Sequence, residues 1–169
     1  TLAWDMIRAR HRLGATLVLQ EAAKLQPAAV AALAPIAQGA TQVRLWKMRS
    51  KIRAELTSGA AQNAGSASLH ASRSTLHGPS LDLDGFAVSQ AFFDDVAALD
   101  LLALPALACP ALLAQLSHRT EPAPESAALA RALGPACRLT ALRLEPFWDR
   151  IDAVDTHALN EAVATFLQC

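Results

Sequence analysis

The residue types that bear on chemistry gather at three places in the chain. Arg10-His11-Arg12-Leu13-Gly14 precedes the apolar, alanine-rich run Ala15–Leu25. A strand, a sharp turn and then a helix is the layout that lifts a nucleophile to the end of a sheet. Arg12 stands at the central position of that turn, and its guanidinium stays protonated and cannot attack a carbonyl. One of the chain orders a covalent triad takes is nucleophile, acid, histidine, and in that order the acid falls in Ser117-His118-Arg119-Thr120-Glu121, after the apolar run Ala111–Leu116. Glu121 is the candidate there. His118, whose ordinary pKa lies near neutrality, is a second candidate for acid–base work; the alternative is an exposed loop histidine. The histidine position, after Cys137–Leu144, is held by Glu145, with Phe147 and Trp148 following. These two aromatics are expected either to wall a pocket or to pack the last helix on the sheet. His157 comes later and belongs to the final helix. Arg12 and Glu145, expected at adjacent strand ends, would form an ion pair that closes the site or holds an anionic group bidentately. The alternative is two solvated loop residues.

No other constellation points to a cofactor or a metal. His70 and His77 lie seven apart without a neighbouring Cys, Asp or Glu to complete a ligand set. Cys109, Cys137 and Cys169 are too widely spaced for a zinc pattern or a disulfide framework. They read as ordinary thiols in a reducing compartment, which gives a cytoplasmic expectation.

The elements that must position these residues follow from periodicity. Met6–Ala9 is expected as a strand, followed by a helix over Leu13–Leu25 that is apolar nearly all round and so buried. Pro27 ends that helix, and Ala28–Ile36 reads as a second strand, parallel to the first. Thr41 is expected to cap a helix running to about Leu56, with Leu45, Met48, Ile52 and Leu56 on its inner side. Arg44, Lys47, Arg49, Lys51 and Arg53 occupy its other side, either as a solvated face or as a site for an anionic partner. Ser58–Ser80, rich in Gly, Ser and Ala, reads as a loop. The alternation around Asp84-Gly85 predicts a small hairpin. A helix beginning at Ser89 or Gln90 follows it to about Ala98 and buries Phe92, Phe93 and Val96. After Asp100 the α/β rhythm resumes: a strand over Ala111–Leu116, a helix over Glu125–Leu133 stopped by Gly134-Pro135, and a strand over Cys137–Leu144. A final helix over His157–Leu167 is capped by Thr156, with Leu159, Ala162, Val163, Phe166 and Leu167 inward.

The order predicts an α/β fold: half of a doubly wound, mostly parallel sheet, interrupted by a helical insertion over residues 40–106. The chain of 169 residues suits one domain. Fifteen basic residues balance fifteen acidic ones, so no overall field draws it to nucleic acid or acidic lipid. Its longest uncharged apolar stretch, Leu101–Leu116, holds two prolines and is too short to span a membrane; a buried loop and strand are expected. The start at Thr1 lacks a Met or a signal pattern and suggests a trimmed start or part of a longer chain.

Three segments are similar to the exosortase A system-associated hydrolase 2 proteins of the α/β-hydrolase superfamily. They are Arg12-Leu13-Gly14-Ala15 with its helix, Leu83-Asp84-Gly85-Phe86-Ala87-Val88-Ser89 with Ala97-Ala98-Leu99-Asp100-Leu101, and Leu144-Glu145-Pro146-Phe147-Trp148. The resemblance implies a partial α/β-hydrolase fold, covering the region of its strands 5–8 with a cap insertion and without the earlier strands. It also implies a setting in bacterial exopolysaccharide production and PEP-CTERM protein sorting, and hydrolysis of an ester or acyl group. Arg10 departs from the family's elbow glycine, and no complete Ser–acid–His triad is recognisable. A catalytically inactive hydrolase fold that binds or scaffolds a small molecule or protein is the alternative. Half a sheet also leaves an open edge for self-association.

Overall fold

Short continuous apolar runs explain the sheet. Parallel strands covered on both faces need apolar side chains at every position rather than alternate ones. Val30-Ala31-Ala32-Leu33 and Ala111-Leu112-Leu113-Ala114 meet that requirement, and all eight residues are buried. The computed structural model describes residues 10–11, 13–64, 80–83, 86–144 and 155–168. They divide into two units, one comprising the chain up to Ala37 with everything from Asp100 onward, the other Gln38–Leu99. Asp100–Ala106 therefore belong with the sheet, not with the inserted unit.

In the first unit, β1 (Arg10–His11), β2 (Val30–Leu33), β5 (Ala111–Ser117) and β6 (Cys137–Arg143) form a four-stranded, wholly parallel sheet in that order. Register pairs His11 with Leu33, Leu33 with Ala114, and Ser117 with Arg143. The expected strand at Met6–Ala9 lies outside the described residues. Helix α1 (Leu13–Leu25) and helix α4 (Pro124–Leu133) cover one face. There Leu19, Leu129 and Leu133 meet Val30, Ala32, Ala111 and Leu113. The uncharged stretch after Asp100 joins this layer as a short 3-10 turn, Leu101–Ala103, with Leu101, Leu107 and Cys109 buried. The alternate strand positions point to the opposite face. Ala31, Leu33, Leu112, Ala114 and Leu116 pack there against Leu159, Val163 and Phe166 of helix α5 (His157–Leu167). Each fully buried Leu contributes roughly 1.5–3 kcal/mol.

Three expectations for this unit are corrected. Helix α1 is buried on one side only, through Ala15, Thr16, Leu19 and Ala22, while Leu17 and Leu25 are exposed. Among the described residues, only the side turned to the sheet has anything to pack on. Thr156 makes no side-chain cap on α5; Asp155 does so instead, its carboxylate accepting the His157 amide at 2.9 Å. Leu167, expected inward, is exposed at the end of that helix.

In the second unit, helix α2 (Gly39–Ala64) is followed by β3 (Ser80–Leu83), antiparallel to β4 (Phe86–Ser89), and by helix α3 (Gln90–Ala97). The hairpin is as expected, with Asp84 and Gly85 outside the described residues. Ser89 caps α3, its hydroxyl accepting the Phe92 amide at 3.3 Å. Helix α2 begins at Gly39 rather than at Thr41 because the backbones touch there. The Gly39 amide donates to the Leu99 carbonyl at 2.8 Å, and a Cβ at position 39 would overlap the Val96 carbonyl. The helix also runs through residues 58–64, expected as loop. Val43 is buried, and Trp46 stacks on Phe92 and lies edge-on to Phe93, with ring centroids 6.4 and 6.5 Å away. That contact fixes which face of α2 is inward. Leu45, Met48, Ile52 and Leu56, expected to be buried, are exposed, as is Phe92.

Candidate functional site

Because all four strands run the same way, their carboxyl ends meet at one end of the sheet, which is where open α/β sheets hold ligands. At the end of β1 only position 12 separates the strand, ending at His11, from α1, starting at Leu13. Arg10 and His11, expected in the turn, belong to the strand, and Leu13 and Gly14 to the helix. Arg12 itself lies outside the described residues.

The end of β2 is held in place by α1. Thr16, fully buried, accepts the Ile36 amide through Oγ1 at 2.8 Å and donates to the Ile36 carbonyl at 3.2 Å. Between β2 and this anchor Ala34 sits at φ 44°, in the left-handed region that favours glycine, with its amide donating to the Ala114 carbonyl at 2.8 Å. Nothing in the apolar sequence Val30–Ile36 marks either feature. A threonine amid the apolar residues of α1 is the one available signal.

The end of β5 carries the expected acid loop, and Gln115 organises it. Its Oε1 accepts the Ala123 amide at 2.7 Å, and its Nε2 donates to the Ser117 hydroxyl and the Glu121 carbonyl, both at 3.4 Å. Ser117 is turned onto the loop backbone, donating to the Arg119 carbonyl at 2.8 Å and accepting the Arg119 amide at 3.1 Å. A lone polar residue near the end of an apolar strand is the signal for Gln115 that a motif search passes over. His118, Arg119 and Glu121 are all exposed. Among the described residues no side chain hydrogen-bonds to the His118 imidazole or the Glu121 carboxylate, so the loop assembles no nucleophile–base pair.

At the end of β6, the Leu144 amide donates to the Ser117 carbonyl at 3.2 Å, joining this strand end to the acid loop. Glu145, Phe147 and Trp148 lie outside the described residues. The expectation that Arg12 and Glu145 follow adjacent strands is corrected: among the described residues β1 and β6 are the two edges of the sheet, with β2 and β5 between them. Three strand spacings of about 4.8 Å put roughly 14 Å between those edges. A direct Arg12–Glu145 pair would need the segments around it to reach across the sheet.

No group of His, Cys, Asp or Glu among the described residues could hold a metal ion, and His70 and His77 lie outside them. Cys109 and Cys137 are free thiols whose pKa values burial pushes up, that of Cys137 to about 11. A thiol so shifted is a poor nucleophile at neutral pH. No helix among the described residues is long and apolar enough to cross a membrane. Comparison with protein-family models and with curated proteins finds no match to this chain.

Proposed function

We propose that this chain is an α/β-hydrolase-type protein of the exosortase A system-associated kind, whose site binds a ligand and does not hydrolyse it. Support for the fold comes from the strand order β1-β2-β5-β6, the one-residue join between β1 and α1, the inserted unit after β2, and a final helix on the opposite face from α1 and α4. The observation that carries the functional reading is the identity of the one residue in that join. An arginine there supplies a permanent cation with a planar fork of donors, suited to a carboxylate or phosphate group, where acyl transfer needs a hydroxyl or thiol. The acid loop agrees, with its serine bonded to its own backbone. By the same resemblance the setting is exopolysaccharide production and PEP-CTERM sorting, with a small-molecule or protein partner.

Ester or acyl hydrolysis is the second reading, favoured by the presence of Ser117, His118 and Glu121 in one loop at the carboxyl end of β5. Turnover of short-chain p-nitrophenyl esters by the intact chain separates the two. The binding reading expects a rate equal to buffer, unchanged by Arg12→Ala. Saturable turnover that Ser117→Ala abolishes would establish the hydrolytic reading instead.

A further inference from the structure

We propose that the exposed face of α2 is a docking surface for an anionic lipid bilayer, on which the helix lies flat in the headgroup region. The face turned inward is already assigned, to Val43 and Trp46 against α3, with Lys47 Nζ 5.4 Å from the Phe93 ring centre. On the opposite side Leu45, Met48, Ile52 and Leu56 are 39%, 52%, 49% and 71% exposed. Their spacing of three, four and four residues makes one stripe, about 16 Å long at 1.5 Å per residue. A continuous apolar stripe outside the core marks an interaction surface rather than scattered exposure.

The margins of the stripe say what covers it. At 3.6 residues per turn, Arg44 and Lys51 fall along one margin, with Glu55 beside them, and Arg49 falls along the other. On this outward side three basic residues, Arg44, Arg49 and Lys51, meet one acidic residue, Glu55, a local excess of two positive charges in a chain of zero net charge. The zero total does not cancel this patch, because at physiological ionic strength fields decay over about 8 Å. Cations along both sides of an apolar stripe suit a helix lying in the plane of a membrane. The long stems cover the apolar margin while the charged ends reach phosphates on either side. A second copy of the same face is disfavoured, since its own cations would meet these across the contact.

The test is flotation of the full chain with vesicles of phosphatidylcholine alone or mixed with phosphatidylserine. Selective binding to the mixed vesicles, weakening as salt rises, is expected. Each cation near an anionic surface is worth about fivefold in partitioning, so Arg49→Gln with Lys51→Gln lowers binding about 25-fold. Ile52→Glu lowers it at least about tenfold by removing an apolar side chain from the interface. Arg138→Gln with Arg143→Gln, an equal charge change on exposed β6 positions, leaves it unchanged. All these sites are exposed, and circular dichroism checks that the variants stay folded. Equal binding to both vesicle types, equal loss in the β6 control, or an Ile52-dependent dimer or acidic-peptide complex without vesicle binding would each overturn the proposal.

Discussion

Replacing Thr16 with valine tests whether α1 fixes the loop at the end of β2 by hydrogen bonding or merely by packing. Valine matches threonine in shape, so no cavity opens and the change isolates the hydroxyl. The Ile36 amide, now satisfied at 2.8 Å within a buried segment, would lose its acceptor, and the Ile36 carbonyl its 3.2 Å donor. A buried amide left unsatisfied costs about 1–3 kcal/mol and the second bond about 0.5–1.5 kcal/mol. The two together come to roughly 2–4 kcal/mol. For a chain of this size each kcal/mol shifts the melting temperature by about 2–4 °C, so Thr16→Val melts roughly 4–16 °C below the parent. Thr16→Ser keeps both bonds and loses one buried methyl, about 1 kcal/mol. Thermal denaturation followed by circular dichroism gives the order parent, Ser, Val. Hydrogen exchange at the Ile36 amide accelerates in the valine variant only. A valine variant as stable as the parent, or a serine variant less stable than the valine, would refute the hydrogen-bond argument.

Other consequences are as direct. Gly39→Ala forces a Cβ into the Val96 carbonyl and should destabilise the second unit by about 1–3 kcal/mol or more, read by urea denaturation; an unchanged midpoint contradicts the close approach. Gln115→Leu frees the 118–123 loop at a cost of about 1–2 kcal/mol, so proteases cut there faster and the Ala123 amide exchanges sooner. Equal protection in the two chains would show that Gln115 does not hold it. Burial raises the pKa of Cys137 from 9.0 to about 11. The folded state therefore keeps its proton where the unfolded state loses it. The associated stability is whole below pH 9.0 and drains away as pH rises to about 11, in urea titrations that Cys137→Ala flattens. Near neutral pH iodoacetamide should modify Cys137 far more slowly in the folded chain than in urea.

The sheet is legible because buried parallel strands and their helices leave unambiguous runs: Ala28–Ile36, Ala111–Leu116 and Leu13–Leu25 each match an element within a few residues of its observed limits. Helix α2 is not. Side-chain capping preference points to Thr41 as its start, whereas a backbone approach only glycine permits begins it at Gly39. Small residues make its later turns read as loop, although Ala60, Ala61 and Ala64 are strong helix formers. Its inward face is ambiguous because two apolar faces share the helix, and sequence alone does not say which one α3 takes. At the candidate site, chain order locates the strand ends, but not the spatial order that separates β1 from β6. Gln115 and Thr16 act through backbone groups beyond their own elements, which no local pattern records.

The central claim is that the arginine between β1 and α1 marks a binding site and not a covalent one. A fluorophosphonate probe incubated with the intact chain, followed by mass spectrometry of the whole protein and its peptides, tests it most directly. The account predicts no adduct at Ser117 or at any other serine beyond the level seen with the unfolded chain. Near-complete labelling of one serine, dependent on the folded state, would contradict it.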